Sequence, residues 1–371
     1  MMAGDNETQR IARLTPLADV LARIDALVRP VEPRPAERHA AVGRVLAEDV
    51  VAPTSRPAAA RALRDGFAVR AEATADASSY APAPLVPSPL RVDVGDVLPP
   101  GTDAVATLDV VVVRDGRHEA LSPVAPGEGV LAIGADLRAG ETLRQAGERL
   151  RAVDDAVLAS AGVERVMVRA PRIHLVQARA GRDAVLEAAC ALIARAIAAA
   201  GGWVQPGDLA GALGDASADA VIAIGGTGSG RDDASVRTLA RLGRVEMHGI
   251  ALSPGETAAF GLVQARPVLL IPGRIDAALA VWLAIGCRML ARLSASRDET
   301  PAASARLTRK VASPLGLAEV VPVRMRDGEA EPMASGYWPL EAIAQADGWI
   351  LVPPESEGYP AAAEVVVKPW P

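Results

Sequence analysis

Residues 221–233 read Val-Ile-Ala-Ile-Gly-Gly-Thr-Gly-Ser-Gly-Arg-Asp-Asp. The apolar run 221–224 has the composition of a buried parallel strand. It breaks into six residues of which four are glycine, and a helical pattern follows (Val236, Leu239, Ala240, Leu242). Strand, glycine loop and helix N-terminus together make an anion site: glycine lets the backbone approach closely, exposed N–H groups point at the ligand, and the helix dipole favours negative charge. The spacing is neither G-x-x-x-x-G-K-[ST] nor G-x-G-x-x-G with an acid about twenty residues on, so neither a P-loop nor a dinucleotide fold is implied. Taken alone, the loop is equally readable as the ordinary turn after a strand.

The chain around it, from residue 171 to about 293, alternates strand and helix. Strands are expected over 173–176, 221–224 and 268–271, and helices over 182–200, 234–242 and 276–293. Right-handed crossovers make this a three-layer α/β domain with a mostly parallel sheet. Ligands of such domains sit at the carboxyl ends of the strands. The loops there are Gly225 to Gly230, Pro272-Gly273-Arg274 and, between them, Ser253-Pro254-Gly255-Glu256; their convergence on one rim argues for a binding site.

Outward from this domain the pattern changes. Thr15-Pro16 is read as N-cap and first turn of a helix with the stripe Leu17, Val20, Leu21, Ile24, Leu27, and residues 1–10 as disordered. The 30–35 stretch reads as extended linker and 41–50 as a second helix running into a strand. Residues 51–133 are rich in Pro, Gly and Val with no helical period, which reads as a small β-rich domain with a hairpin turn at Arg114-Asp115-Gly116-Arg117. A helix over 154–161 stops at Gly162. Residues 299–371 return to strands around a short helix, as a small barrel or sandwich.

The chain has 371 residues, half of them hydrophobic, with only five Trp, three Tyr and two Phe. Its length calls for several domains. A formal charge of −6 disfavours a nucleic-acid binder but leaves room for a local basic pocket. Cys190 and Cys287 sit in apolar helical patterns and read as buried free thiols of a reducing compartment. The polar N-terminus lacks a signal peptide core, and the most apolar helix, interrupted by Glu187 and Arg195, reads as buried, so the expectation is cytoplasmic with no membrane partner.

Several motifs now line up in order. Leu14-Thr15-Pro16, Gly43-Arg44-Val45-Leu46-Ala47-Glu48-Asp49, Arg64-Asp65-Gly66-Phe67-Ala68-Val69-Arg70, Leu98-Pro99-Pro100-Gly101-Thr102-Asp103-Ala104-Val105, Gly225 to Gly230, Ser253-Pro254-Gly255, Pro272-Gly273 and Ala342-Ile343-Ala344-Gln345-Ala346-Asp347-Gly348 resemble, collinearly over residues 11–371, the MoeA-type molybdopterin molybdenumtransferases. The resemblance implies four domains: 11–50 with 134–170, 51–133, a molybdopterin-binding 171–298, and a β-barrel-like 299–371. It also implies a homodimer in which the site of the third domain faces the partner's second domain, and insertion of molybdate into adenylylated molybdopterin with Mg²⁺ and carboxylates. Other molybdenum cofactor proteins or a molybdoenzyme are the implied partners.

The departures fall on ionic positions. The family's D-N-S-A reads Ala60-Arg61-Ala62-Leu63, and S-T-G-D-E-L reads 177–182 without a carboxylate. G-E-D reads Gly134-Ala135-Asp136, the first Asp of D-Y-D is Arg231 while Asp233 keeps the second, K-P-G-K-P becomes Ser253-Pro254-Gly255-Glu256-Thr257, and L-P-G-N-P places Arg274 at the Asn. Loop-shaping residues survive, so Gly225, Gly226, Thr227, Gly228, Ser229 and Gly230 are expected to hold a pterin phosphate with Ser253, Pro254, Gly255, Pro272 and Gly273, and Arg231 and Arg274 to clamp it. The acids left for chemistry are Asp65, Asp136 and Asp233, with Asp232 and Glu256 beside them. The loss of oxygen ligands argues against a well-built Mg²⁺ site, and no protein metal site is expected. The expectation is a binding protein for molybdopterin or its adenylylated form; the alternatives are a working transferase and a non-enzymatic carrier of another anion.

Overall fold

The structure, a computed structural model, describes residues 9–178, 183–297 and 302–371. Its centre is a six-stranded sheet in the order Trp203–Gln205, Arg172–Gln177, Ala220–Ile224, Arg266–Ile271, Ala259–Val263, Arg244–His248. The first four strands pair in parallel, and the last two join through antiparallel pairings, so that only Ala259–Val263 runs against the rest. Every residue of Ala220–Ile224 is buried, because the strand is covered on both faces and its two-residue alternation supplies both cores. Ile222 and Ile224 face helix Ala184–Ala199 and the helical run 275–294, while Val221 and Ala223 face helices Leu209–Gly214 and Ser235–Leu242. Helix Leu17–Leu27 joins the first layer through Leu17, Val20 and Ile24.

The helical run 275–294 is apolar and long enough to span a bilayer, but 72% of that stretch is buried, as suits a core helix. It widens into a π turn over Trp282–Gly286. A Cβ at Gly286 would lie 2.3 Å from the Trp282 ring, so only glycine leaves room for the indole in that turn.

At the C-terminus, strands Ala318–Arg326, Glu329–Pro332, Ala303–Leu307, Glu364–Pro369 and Gly348–Val352 pair in a closed cycle, a five-stranded barrel around Val321, Val323, Ile350, Val352 and Val365. Strand Ile250–Ser253 extends this sheet (Leu252 opposite Ala318, Ser253 opposite Glu319), and Thr15–Pro16 pairs with it in turn. The barrel is therefore tied by backbone hydrogen bonds to the segment that leads into the 253–257 loop.

Residues 51–133 form small antiparallel sheets, including the expected hairpin, in which Asp115 and Gly116 both have positive φ (49° and 74°) as a type I′ turn needs. Helix Ala152–Ala161 ends on left-handed Gly162. Three local expectations are corrected. Thr15 does not cap its helix, because its backbone is engaged as a strand and Pro16 is the N-cap. The 30–35 linker leads into strand Arg34–Glu37, paired with Arg165–Arg169. Residues 41–50 form no helix: a 3₁₀ turn Arg38–Ala41 is followed by left-handed Gly43 and short strands Val45–Leu46 and Val50–Val51. The free thiols also differ from expectation, Cys190 being half-buried and Cys287 exposed.

Candidate functional site

Strand Ala220–Ile224 ends in two glycines with φ of +98° and +68°, at Gly225 and Gly226. This left-handed turn is open to glycine at little cost. Gly225 N–H still donates to Ile271 O at 2.8 Å, so the chain leaves the sheet only at Gly226. Beyond it lies a cavity of about 390 Å³ at the carboxyl ends of Arg172–Gln177, Ala220–Ile224 and Arg266–Ile271. Its wall is Gly225 to Gly228 with Asp233, the start of helix Ala184–Ala199 with Asp183, then Thr257, and Pro272-Gly273-Arg274.

The loop is held from behind. Gly226 O accepts from Ser235 N (3.1 Å) and Ser235 Oγ (2.6 Å), and Gln9 Nε2 donates to Gly226 O and Gly228 O, both at 2.7 Å. His248 Nε2 lies 2.9 Å from Thr227 O, and the hydroxyls of Thr227 and Thr257 are 2.9 Å apart. By contrast, no acceptor among the described residues takes the N–H of Thr227, Gly228 or Ser229. Thr227 is 2% exposed, and a buried backbone donor without a partner is rare unless a ligand or water supplies one. These N–H groups are what the site offers an anion.

Each carboxylate on the cavity wall has one oxygen engaged. Asp183 Oδ1 accepts from Val185 N (3.0 Å) and Leu186 N (3.3 Å), capping the helix, and Asp233 Oδ2 accepts from Gly230 N at 2.9 Å. Arg274 lines the cavity, but its guanidinium pairs with Asp276 (Nε to Oδ1 3.0 Å, with a second contact to Oδ2) and lies 5.2 Å from the Tyr337 ring centre. The Asp276 bond holds the Arg274 pKa above its ordinary value. Asp276 itself is buried and also accepts from Trp338 N at 3.2 Å.

The site expectations thus divide. Gly225, Gly226, Thr227, Gly228, Pro272, Gly273, Arg274 and Asp233 meet at the cavity. Ser229, Gly230 and Arg231 are exposed and off its wall. Ser253, Pro254 and Gly255 are buried beneath it; a Cβ on Gly255 would meet Val281 at 2.7 Å, and Thr257 represents that loop at the surface. Asp65 is not at this cavity but accepts from Val94 N at 2.8 Å, and Asp136 is exposed elsewhere. Residues 179–182 of the acid-poor loop lie outside the described residues. One residue further, Asp183 belongs to none of the motifs above yet lines the cavity, and an Asp before Ala-Val-Leu is the N-cap signal that marks it. Of residues 1–10, expected to be disordered, 1–8 lie outside the described residues, while Gln9 is 7% exposed and bonded to the glycine loop. Among the described residues no three His, Cys, Asp or Glu side chains converge as metal ligands; Mg²⁺ is commonly held by one or two carboxylates with water and substrate phosphates, and Asp183 and Asp233 are the carboxylates on this cavity's wall.

Comparison with known proteins agrees with this architecture. The family profile "MoeA N-terminal region (domain I and II)" matches residues 15–162, "Probable molybdopterin binding domain" matches 205–292, and "MoeA C-terminal region (domain IV)" matches 304–370. A Methanocaldococcus jannaschii protein named for molybdopterin biosynthesis is 27% identical over 358 residues, covering 86% of this chain and 87% of its own. The molybdopterin molybdenumtransferase of Haemophilus influenzae is 25% identical, over 70% of this chain and 72% of its own. The crystal structure of a molybdopterin biosynthesis MoeA protein from Pyrococcus horikosii superposes with a TM-score of 0.80 at 26% identity, covering 97% of this chain and all of the other.

Proposed function

We propose that this chain, which belongs to the MoeA-type family of molybdenum cofactor biosynthesis, binds molybdopterin or its adenylylated form in the glycine-loop cavity and inserts molybdate poorly or not at all. The observation that carries the reading is one of supply: among the described residues the N–H groups of Thr227, Gly228 and Ser229 meet no acceptor, while the two cavity carboxylates each give one oxygen to backbone donors. Such a site grips the pterin phosphate through the N–H donors of the glycine loop. With one oxygen of each carboxylate committed to the backbone, a divalent ion at the point of transfer would draw most of its ligands from water and substrate, which leaves it weakly fixed. Asp183 and Asp233 still face the cavity, and this favours the second reading, an active transferase that re-aims them when substrate binds.

The reading includes the four-part division given above, with the cavity in 171–298. It also includes a homodimer in which Asp65, on the 51–133 unit, reaches the partner's cavity. Leu63, Leu90, Val94, Val97 and Ile133, each at least half exposed, are the apolar surface such a contact would cover. A carrier of this kind hands its pterin to another cofactor protein or a molybdoenzyme, in the cytoplasm, where its two free thiols are at home.

The test is the pterin and nucleotide content of the protein purified from a molybdopterin-producing host, with light scattering on the same sample. Near-stoichiometric pterin on a dimer supports the reading. Protein that emerges empty and fails to take up added molybdopterin refutes it.

A further inference from the structure

Behind the glycine loop stand two side chains that do not line the cavity. Gln9 bonds the carbonyls of Gly226 and Gly228, and His248, at the end of edge strand Arg244–His248, bonds the carbonyl between them. A trans peptide is planar, with its C=O and the following N–H pointing in opposite directions. Anchoring the carbonyls of Gly226, Thr227 and Gly228 therefore turns the N–H groups of Thr227, Gly228 and Ser229 the other way. Those are the three donors without an acceptor among the described residues. A loop this rich in glycine has little intrinsic preference for one peptide orientation, so its shape must come from outside.

The Gln9 side chain shows what it is there for. Its Oε1 is buried without a partner among the described residues while Nε2 serves two carbonyls. The opposite amide orientation would set an oxygen against both carbonyls, so the bonding fixes the assignment. An apolar residue would avoid the orphaned oxygen but could not hold the loop.

We infer that Gln9 and His248 are positioning residues that preset the amide cradle of residues 227–229 for an anion, an inference that rests on the pterin-phosphate reading above.

Molybdopterin titrations of four variants test it, with thermal midpoints measured alongside. Gln9→Glu keeps shape but places oxygens against the carbonyls, and should weaken binding about tenfold or more, the order of one or two lost hydrogen bonds. His248→Met should lose about tenfold, and His248→Gln, which keeps a nitrogen donor at similar reach, should recover most of that. A merely structural role would not follow the donor in this way. Wild-type affinity in Gln9→Glu, or His248→Gln as weak as His248→Met, overturns the inference. Gly228→Val is the control: if it too binds like wild type, the cavity reading has failed instead. Independently of any ligand, a crystal structure of ligand-free Gln9→Glu should show the 228–229 peptide rotated, Gly226 O keeping its Ser235 donors; an unchanged 228–229 peptide also overturns it.

Discussion

Gly228→Ala is the smallest change that asks how the loop is held. A Cβ there would lie 2.8 Å from Asp233 Oδ2, closer than a side-chain carbon tolerates. The same oxygen accepts the Gly230 N–H at 2.9 Å, so the carboxylate must swing out and break that bond, or the backbone at 228 must move. A hydrogen bond to a charged group contributes ~1.5–3 kcal/mol, and exposure at the Gly230 end discounts it to ~1–2 kcal/mol. If that order is what the ligand requires, the molybdopterin Kd rises about five- to thirtyfold. Folding stability should fall by no more than that ~1–2 kcal/mol, since Gly228 lies outside the cores. The assay is a titration of Gly228→Ala, Asp233→Ala and the double variant. Both single changes act through one contact, so their effects should not add. An affinity for Gly228→Ala within about twofold of wild type, or strict additivity in the cycle, would refute this reasoning.

Asp183→Ala removes a helix cap and should cost ~1 kcal/mol of stability. It frees the N–H groups of Val185 and Leu186 at the cavity, so inorganic phosphate should bind more tightly even as the thermal midpoint falls. Arg274→Asn strips a partner from buried Asp276 and should lower stability by ~1–3 kcal/mol in urea unfolding, whereas exposed Arg231→Asp should leave the urea midpoint nearly unchanged. Stability should also fall on acidification. Asp154, through the Arg151 hydrogen bond, and Asp215, through that from His174, are held below the ordinary carboxylate range. Their contribution is complete above about pH 4, the unfolded value, and is lost as pH drops through the depressed native values. Urea midpoints at pH 7, 5 and 3 check this, and Asp215→Asn should shrink the loss below pH 4.

What was legible in the sequence follows from how local each signal is. The 221–224 strand announces itself by four apolar residues against two glycines, and helix Ala152–Ala161 by its glycine stop. The edge strands Trp203–Gln205 and Arg244–His248 carry too few buried residues to show a period. The pairing of Ile250–Ser253 with the barrel is a contact distant in sequence that no local pattern encodes. At the site, glycine and proline positions were readable because they shape backbone. The engagement of charges was less so: no local pattern says that Gln9 crosses to the glycine loop, and the N-cap signal at Asp183 does not say that this carboxylate stands on the cavity wall. Arg274 is the intermediate case, since its partner Asp276 stands two residues on and could have been weighed against a phosphate.

The most direct measurement is an insertion assay on purified protein with molybdate, Mg²⁺ and adenylylated molybdopterin, run beside the Haemophilus influenzae molybdopterin molybdenumtransferase. The cavity described here predicts that the pterin binds, with affinity falling as salt rises, while molybdenum transfer stays far below that of the relative. Turnover matching the relative would show that Asp183 and Asp233 are released for chemistry, and that the chain is an ordinary transferase.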